Sequence, residues 1–233
     1  LPACRKRTVS GRSSIDAKSP NQTLLVAVKH TGYHVVGDRG DVMPEDSHDS
    51  STFPHADAES IVDVLSLAEN LKIEMRHSWL SNGRQESVAE HTWLMSVAAV
   101  LMAPHLQHSV DLGQTLKLIA LHDIAEAITG DIPYFEDSAR KNTKLADEAE
   151  AMETIRKMLP EASGKLLLEL WREYEDCETP EAKFARALDK LEVQHQHNLA
   201  DLQTWTEQEL DLVYTKMDRE CAHDTALITL LAV

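Results

Sequence analysis

Thiolate chemistry has little to work with in this chain. Its 233 residues include three cysteines, Cys4, Cys177 and Cys221, far apart and without CxxC spacing. That argues against a disulfide framework or a thiolate zinc site, and in favour of a reducing compartment. Positive charge is also scarce: 23 Lys and Arg face 39 Asp and Glu, a net charge of −16. Residues 1–15 hold four basic residues (Arg5, Lys6, Arg7, Arg12) and no acid, so removing those four charges leaves −20 on the rest. Such a body repels long polyanions, which excludes a nucleic acid polymer as the expected partner; a small phosphate ester stays open where a metal and an arginine reverse the local field. A long apolar run is missing too. Residues 93–106 come nearest, but Ser96, Pro104 and His105 interrupt them and they are too short to cross a bilayer. The expectation is a cytoplasmic protein without a membrane partner. With 42% hydrophobic residues, the chain can bury one sizeable core.

Residues 1–57 carry Ser, Gly, Pro, Asp and His without a sustained helical period, and are expected to form a poorly structured extension with one strand over 23–28. The Arg/Ser-rich start has the composition of an organellar transit peptide but no clear amphipathic pattern. From residue 58 the pattern is helical. Ile61, Val64, Leu65, Ala68 and Leu71 recur at three- and four-residue steps and predict a helix over about 58–75. Ser87 and Glu90 have capping-box spacing, which places His91 in the first turn of a helix to about 103. Asp111 can cap a third helix over 112–128 that stops at Gly130. Further helices are expected over 144–159, 164–175, 180–198 (Thr179 as cap, Pro180 at the first position) and 208–231. No strand-rich region competes, so the predicted fold class is all-α, a compact multi-helix bundle.

The most informative feature is the adjacent pair His122-Asp123, set inside the apolar residues Leu118-Ile119-Ala120-Leu121 and Ile124-Ala125. Two neighbouring polar groups at the centre of a buried run need partners. With His91 upstream and Asp189 downstream, two imidazoles and two carboxylates are a complete ligand set for one divalent metal. Taken alone, His91 reads as a packing or surface histidine, Asp189 as a solvated position on an amphipathic helix, and Arg76 as either solvated or functional. Glu126 follows Asp123 by three residues and His122 by four, positioned to hold a water and move its proton.

The set His91, His122-Asp123, Asp189 resembles the H…HD…D signature of the HD-domain phosphohydrolases. The stretch from His122 through Glu126 to Thr129-Gly130-Asp131-Ile132-Pro133 is similar to their 5′-deoxynucleotidase branch, over residues 58–231. The resemblance implies an HD-domain bundle with a metal site between helices, in which His91, His122, Asp123 and Asp189 hold the ion. It implies Glu126, with Asp123, as the catalytic carboxylates, Arg76 as the phosphate-binding residue and Asp131 as the contact to the sugar. Members selective for deoxyribose can carry tryptophan directly after that arginine; His77 stands there, with Trp79 two residues on, so His77 is the third substrate-binding candidate. The cofactor is expected to be a divalent transition metal, from among Mn, Co, Fe, Ni and Zn, with Mn or Co supporting activity. The expected reaction is hydrolysis of (deoxy)nucleoside 5′-monophosphates to nucleoside and phosphate, by a homodimer. The alternatives are another HD-type nucleotide phosphohydrolase or phosphodiesterase, and a catalytically inactive nucleotide-sensing helical module. Residues 132–188 contain no histidine, which disfavours a bimetallic site, and no ligand is missing, which disfavours the sensor.

Overall fold

The computed structural model describes residues 53–133, 136–213 and 217–233, with 211–213, 217 and 218 described by backbone alone. The extension expected over 1–57, with its strand over 23–28, therefore lies outside the described residues up to position 52. Helix α1 (His55–Ala68) begins three residues before the expected boundary, directly after Pro54, and tightens into a 3-10 turn over Glu69–Lys72. The chain then leaves the helical conformation. Strands β1 (Met75–Trp79) and β2 (Gln85–Ser87) form an antiparallel hairpin around Gly83, whose φ of 82° only glycine adopts without strain. Met75 and Arg76, expected at or just beyond a helix end, thus lie on a strand. Five residues of β1 face three of β2, because Met75 pairs with Ser87 and Trp79 with Gln85. The strand is bulged between those points.

The capping box is present: Ser87 Oγ accepts from Glu90 N and the Glu90 carboxylate accepts from Ser87 N, starting α2 (Val88–Met102). Asp111 caps α3 (Leu112–Leu121) by accepting from Gln114 N. The helix expected to run on to 128 is broken. Ile124 and Glu126 bond back to Leu121 and Asp123, three residues away rather than four, before α4 (Glu126–Thr129) closes on Gly130 at φ 73°. Helix α5 (Ala139–Met158) starts five residues earlier than expected, on a Ser138 cap. α6 (Glu161–Asp176) follows Pro160, and α7 (Pro180–Leu199) follows a Thr179 cap with proline at its first position. Within the single last helix expected over 208–231, the described residues form α8 (Glu207–Val213), α9 (Met217–Cys221) and α10 (Thr225–Leu231), with a break between α9 and α10. Asp224 makes the last break: it caps α10 through Ala226 N and also accepts from Gln107 N at 2.8 Å, tying the C-terminal end to the α2–α3 connection.

Helix α7 is the axis of the bundle. Phe184, Ala185, Ala187 and Leu188 pack with Met95 and Ala99 of α2, Leu118 and Ile119 of α3, and Leu170 and Tyr174 of α6. A second apolar cluster joins Val64 of α1, Met152 and Ile155 of α5, Trp171 of α6, and Ile124 and Ala125. His122 and Asp123 sit where the chain passes from the first cluster to the second, with Leu121 packed against both. Apolar packing on either side holds that tightened turn in place.

Candidate active site

The bulge in β1 has a direct consequence for the site. A regular strand alternates its side chains between faces, yet the successive residues Arg76, His77 and Ser78 all line one cavity of about 250 Å³. A bulge re-aims side chains in this way. His122, Asp123, Glu126, Asp131 and Asp189 line the same cavity.

His91, His122 and Asp123 offer ligand atoms that lie within 4.8 Å of one another. His122 Nδ1 contacts the carbonyl of Ile119 at 2.8 Å, so this nitrogen donates and Nε2 is left as the acceptor. Nε2 lies 2.9 Å from Asp123 Oδ2, with an orientation that makes no hydrogen bond. His91, fully buried on α2, has Nδ1 against Glu192 and Nε2 3.4 Å from Asp189 Oδ1. Asp189 joins the cluster by that oxygen; its other oxygen accepts from Tyr174 Oη at 3.1 Å and from Lys190 Nζ at 2.5 Å. The Nε2 atoms of both histidines are buried and without a hydrogen-bond partner among the described residues. Two such imidazole nitrogens converging with two carboxylates fit a divalent cation with mixed N/O ligation, and these four residues could hold it.

The electrostatics follow from burial and crowding. Burial works against the Arg76 charge, but Asp123, Asp131, Asp189 and Glu192 hold its pKa above the ordinary value. Its Nη1 lies 3.6 Å from Asp123 Oδ2 and its Nε 3.8 Å from Glu86 Oε2. Burial and Arg76 oppose protonation of His91, and Glu192 and Asp189 outweigh them, raising it to about 9. Against the cost of burial, His122, His91 and Arg76 keep Asp123 well below the usual carboxylate range. Asp189 is likewise held low against burial, chiefly by Lys190 and His91.

Glu126 sits at the start of α4, 5% exposed. Oε1 accepts from Lys144 Nζ at 3.0 Å, while Oε2 is buried with no partner among the described residues. Burial first, then Asp123 and Asp131, push it up to about 9. Asp131 is raised as well, by burial, with Arg76 pulling the other way. Its backbone N donates to Glu74 Oε1 at 3.0 Å, which anchors the loop after α4 to the start of the hairpin.

His77 forms the cavity wall together with His197, Trp205 and Glu209. Its ring meets Trp79 edge-on at 4.6 Å, and its Nε2 lies 3.4 Å from Glu209 Oε1, which also contacts His197 Nε2 at 3.0 Å. Gln196, without an assigned role in the sequence, donates to the Trp79 carbonyl at 2.8 Å and so ties α7 to the hairpin.

Of the eight expected site residues, seven line the cavity and the eighth, His91, is buried behind it against Asp189. The sequence reading did not single out Glu86, Lys144, Tyr174, Glu192 or Glu209. Each looks like one more polar residue on an amphipathic helix or in a short strand, and only contact across the fold distinguishes it. Glu192 alone had a local signal, its spacing of three after Asp189 on one helix.

An imidazole and carboxylate cluster set into a helical core, with a buried guanidinium at hand for phosphate oxygens, defines the class: a metal-dependent phosphohydrolase. Residues 68–228 match the family model described as HD domain, and the chain belongs to that family. It is 37% identical over 146 residues to the human 5′-deoxynucleotidase HDDC2, covering 62% of this chain and 70% of that protein. It is 36% identical over 140 residues to the 5′-deoxynucleotidase hdd1 of Schizosaccharomyces pombe, covering 58% and 69%. A solved structure, the predicted metal-dependent phosphohydrolase of Magnetospirillum magnetotacticum MS-1, superposes with a TM-score of 0.62 at 25% identity, over 77% of this chain and 95% of that one.

Proposed function

We propose that the protein hydrolyses (deoxy)nucleoside 5′-monophosphates to nucleoside and phosphate, with His91, His122, Asp123 and Asp189 holding a divalent transition metal. The observation that carries this reading is that Arg76, Asp123 and Glu126 open onto one cavity, so a phosphate can meet a cation, the ligand cluster and a proton-handling carboxylate together. The bound ion supplies Lewis-acid polarisation of the phosphoryl group and activation of water. Arg76 holds two equatorial phosphate oxygens through its planar fork and keeps its charge in every state. With a divalent cation held by the neighbouring ligands to offset Asp123, the ionised form of Glu126 is favoured. Glu126 then takes the proton of the attacking water on Oε2, the oxygen that Lys144 leaves unengaged. Asp131 and His77, on the cavity walls, bind the sugar side. Mn or Co is the expected activating metal. The enzyme acts as a cytoplasmic homodimer on free nucleotides, in keeping with an acidic body that repels nucleic acid polymers.

Phosphate release from a nucleotide panel tests the reading, using protein loaded with Mn(II) or Co(II). Turnover should be fastest with 5′-monophosphates, slower with di- and triphosphates, and negligible with 3′-monophosphates, whose phosphate lies on the other side of the sugar. A preference for cyclic dinucleotides or triphosphates over every 5′-monophosphate would overturn the substrate class.

A further inference from the structure

Glu192 lies outside the expected four-residue ligand set, yet it is 3% exposed and its carboxylate lies with the His91 ring and the Glu86 carboxylate in a buried cluster. It follows Asp189 by three residues on α7, so the two carboxylates project from one helix face. They enclose the ring of His91 between them. Glu192 Oε2 meets Nδ1, and Asp189 Oδ1 lies 3.4 Å from Nε2. Glu86 of β2, also buried, brings a carboxylate oxygen within 4.8 Å of His91 and Glu192. Nδ1 is the nitrogen in contact with Glu192, so it is the one that donates there, and Nε2, with no hydrogen-bond partner among the described residues, is left for the metal. With the ring flipped, or Nδ1 unprotonated and Nε2 protonated, an N–H would point at His122 and Asp123 and the cluster would lose a donor.

We infer that Glu192 is a positioning residue: it fixes the rotamer and tautomer of His91 and thereby the metal affinity of the site. Helix α7 thus supplies one ligand, Asp189, and the group that orients another. Carboxylates that hold a ligating imidazole by its second nitrogen typically contribute 10–100-fold to metal affinity. The inference rests on the reading of His91 as a metal ligand, so its test carries an independent check of that reading.

Mn(II) affinity is measured by EPR titration of the full chain for wild type, Glu192→Ala, Glu192→Gln and Asp123→Ala. Glu192→Ala should bind Mn(II) about 10–100-fold more weakly. Glu192→Gln, whose amide oxygen can still accept from Nδ1–H, should fall between it and wild type, about 3–10-fold weaker on the same scale. In the Zn(II)-loaded protein, 1H–15N NMR should show an exchange-protected His91 Nδ1–H in wild type that is lost in Glu192→Ala. A merely structural role would lower the melting temperature without moving either readout in the folded protein. Wild-type Mn(II) affinity in Glu192→Ala, alongside loss of binding in Asp123→Ala, overturns the role of Glu192 and leaves the metal site standing. Should Glu192→Ala not fold, wild-type affinity in Glu192→Gln overturns it equally. Normal binding in Asp123→Ala removes the metal reading, and the inference with it.

Discussion

At the scale of single residues, two carboxylates of the site divide their oxygens. Asp189 gives one oxygen to Tyr174 and Lys190 and turns the other toward His91; Glu126 gives Oε1 to Lys144 and keeps Oε2 bare. The tied oxygen fixes the side chain, and the other is left for chemistry. Glu126→Gln preserves the shape and an amide oxygen for Lys144 while removing the proton acceptor. Turnover should fall about 10²-fold or more, with nucleoside monophosphate binding retained; unchanged turnover in steady-state kinetics would reduce Glu126 to a packing residue. Glu86 offers a second prediction, through pH. Burial, and then Glu192, raise its pKa from the ordinary 4.5 to about 7, so the folded protein holds a proton there that the unfolded chain has lost. That contribution to stability is complete below about pH 4.5 and disappears as pH rises through 7. Glu86→Gln cannot titrate. Relative to wild type it should gain on the order of 2 kcal/mol between pH 5 and pH 8 in denaturant unfolding of the metal-free protein. A stability difference independent of pH would show that Glu86 does not titrate in that window.

Among the elements, what was legible in the sequence was what local chemistry decides. The Ser87/Glu90 box, the Asp111 cap, Thr179 with Pro180 and the stop at Gly130 stand where side-chain type and spacing put them. The hairpin was not legible, because Ile61 to Leu71 set a helical period that nothing in the next few residues cancels. Strand pairing between Met75 and Ser87, and the bond from Gln196 to Trp79, come from elsewhere in the fold. The tightened turn at His122–Ala125 and the break at Asp224 were hidden for the same reason: each answers to partners distant in sequence. The candidate site residues were readable as a pattern, while the groups that hold them, such as Glu192 on His91 and Lys144 on Glu126, become visible only when helices meet. The α5–α6 contact offers a prediction at this scale. A Cβ on Gly164 would lie 2.5 Å from the Arg156 carbonyl oxygen, so backbone must move to admit one. Helix propensity favours alanine over glycine by about 1 kcal/mol, and overpacking typically costs about 1–3 kcal/mol. Gly164→Ala should therefore be net destabilising in thermal or denaturant unfolding, with activity in the folded protein unchanged. A more stable variant would mean that α5 and α6 separate freely at that crossing.

For the molecule as a whole, the cavity gathers positive charge that is scarce in the chain. The chain carries a net charge of −16, yet Arg76, Lys141, Lys144, Arg186 and Lys190 all line the pocket, beside the carboxylates that could hold a cation. Seven acidic residues line it as well, so an anionic substrate depends there on Arg76 and on a bound divalent cation to offset them. The ligand cluster has a mechanical consequence as well, since its members come from α2, from the turn after α3, and from α7, with Arg76 added from β1. An ion bound to the folded form and not to the unfolded chain draws those elements together and stabilises by mass action. The gain is about 2.7 kcal/mol at a free metal concentration 100 times Kd. For a domain of this size that corresponds to a rise of roughly 5–10 °C in Tm. Stripping the protein with a chelator should lower Tm by that amount, and Mn(II) in excess should restore it. Asp123→Ala, which removes a charged ligand without touching the apolar clusters, should melt near the stripped wild-type temperature and respond to neither treatment. A wild-type Tm indifferent to both chelator and Mn(II) would mean that no ion couples these elements, and the four-residue ligand set would have to be abandoned.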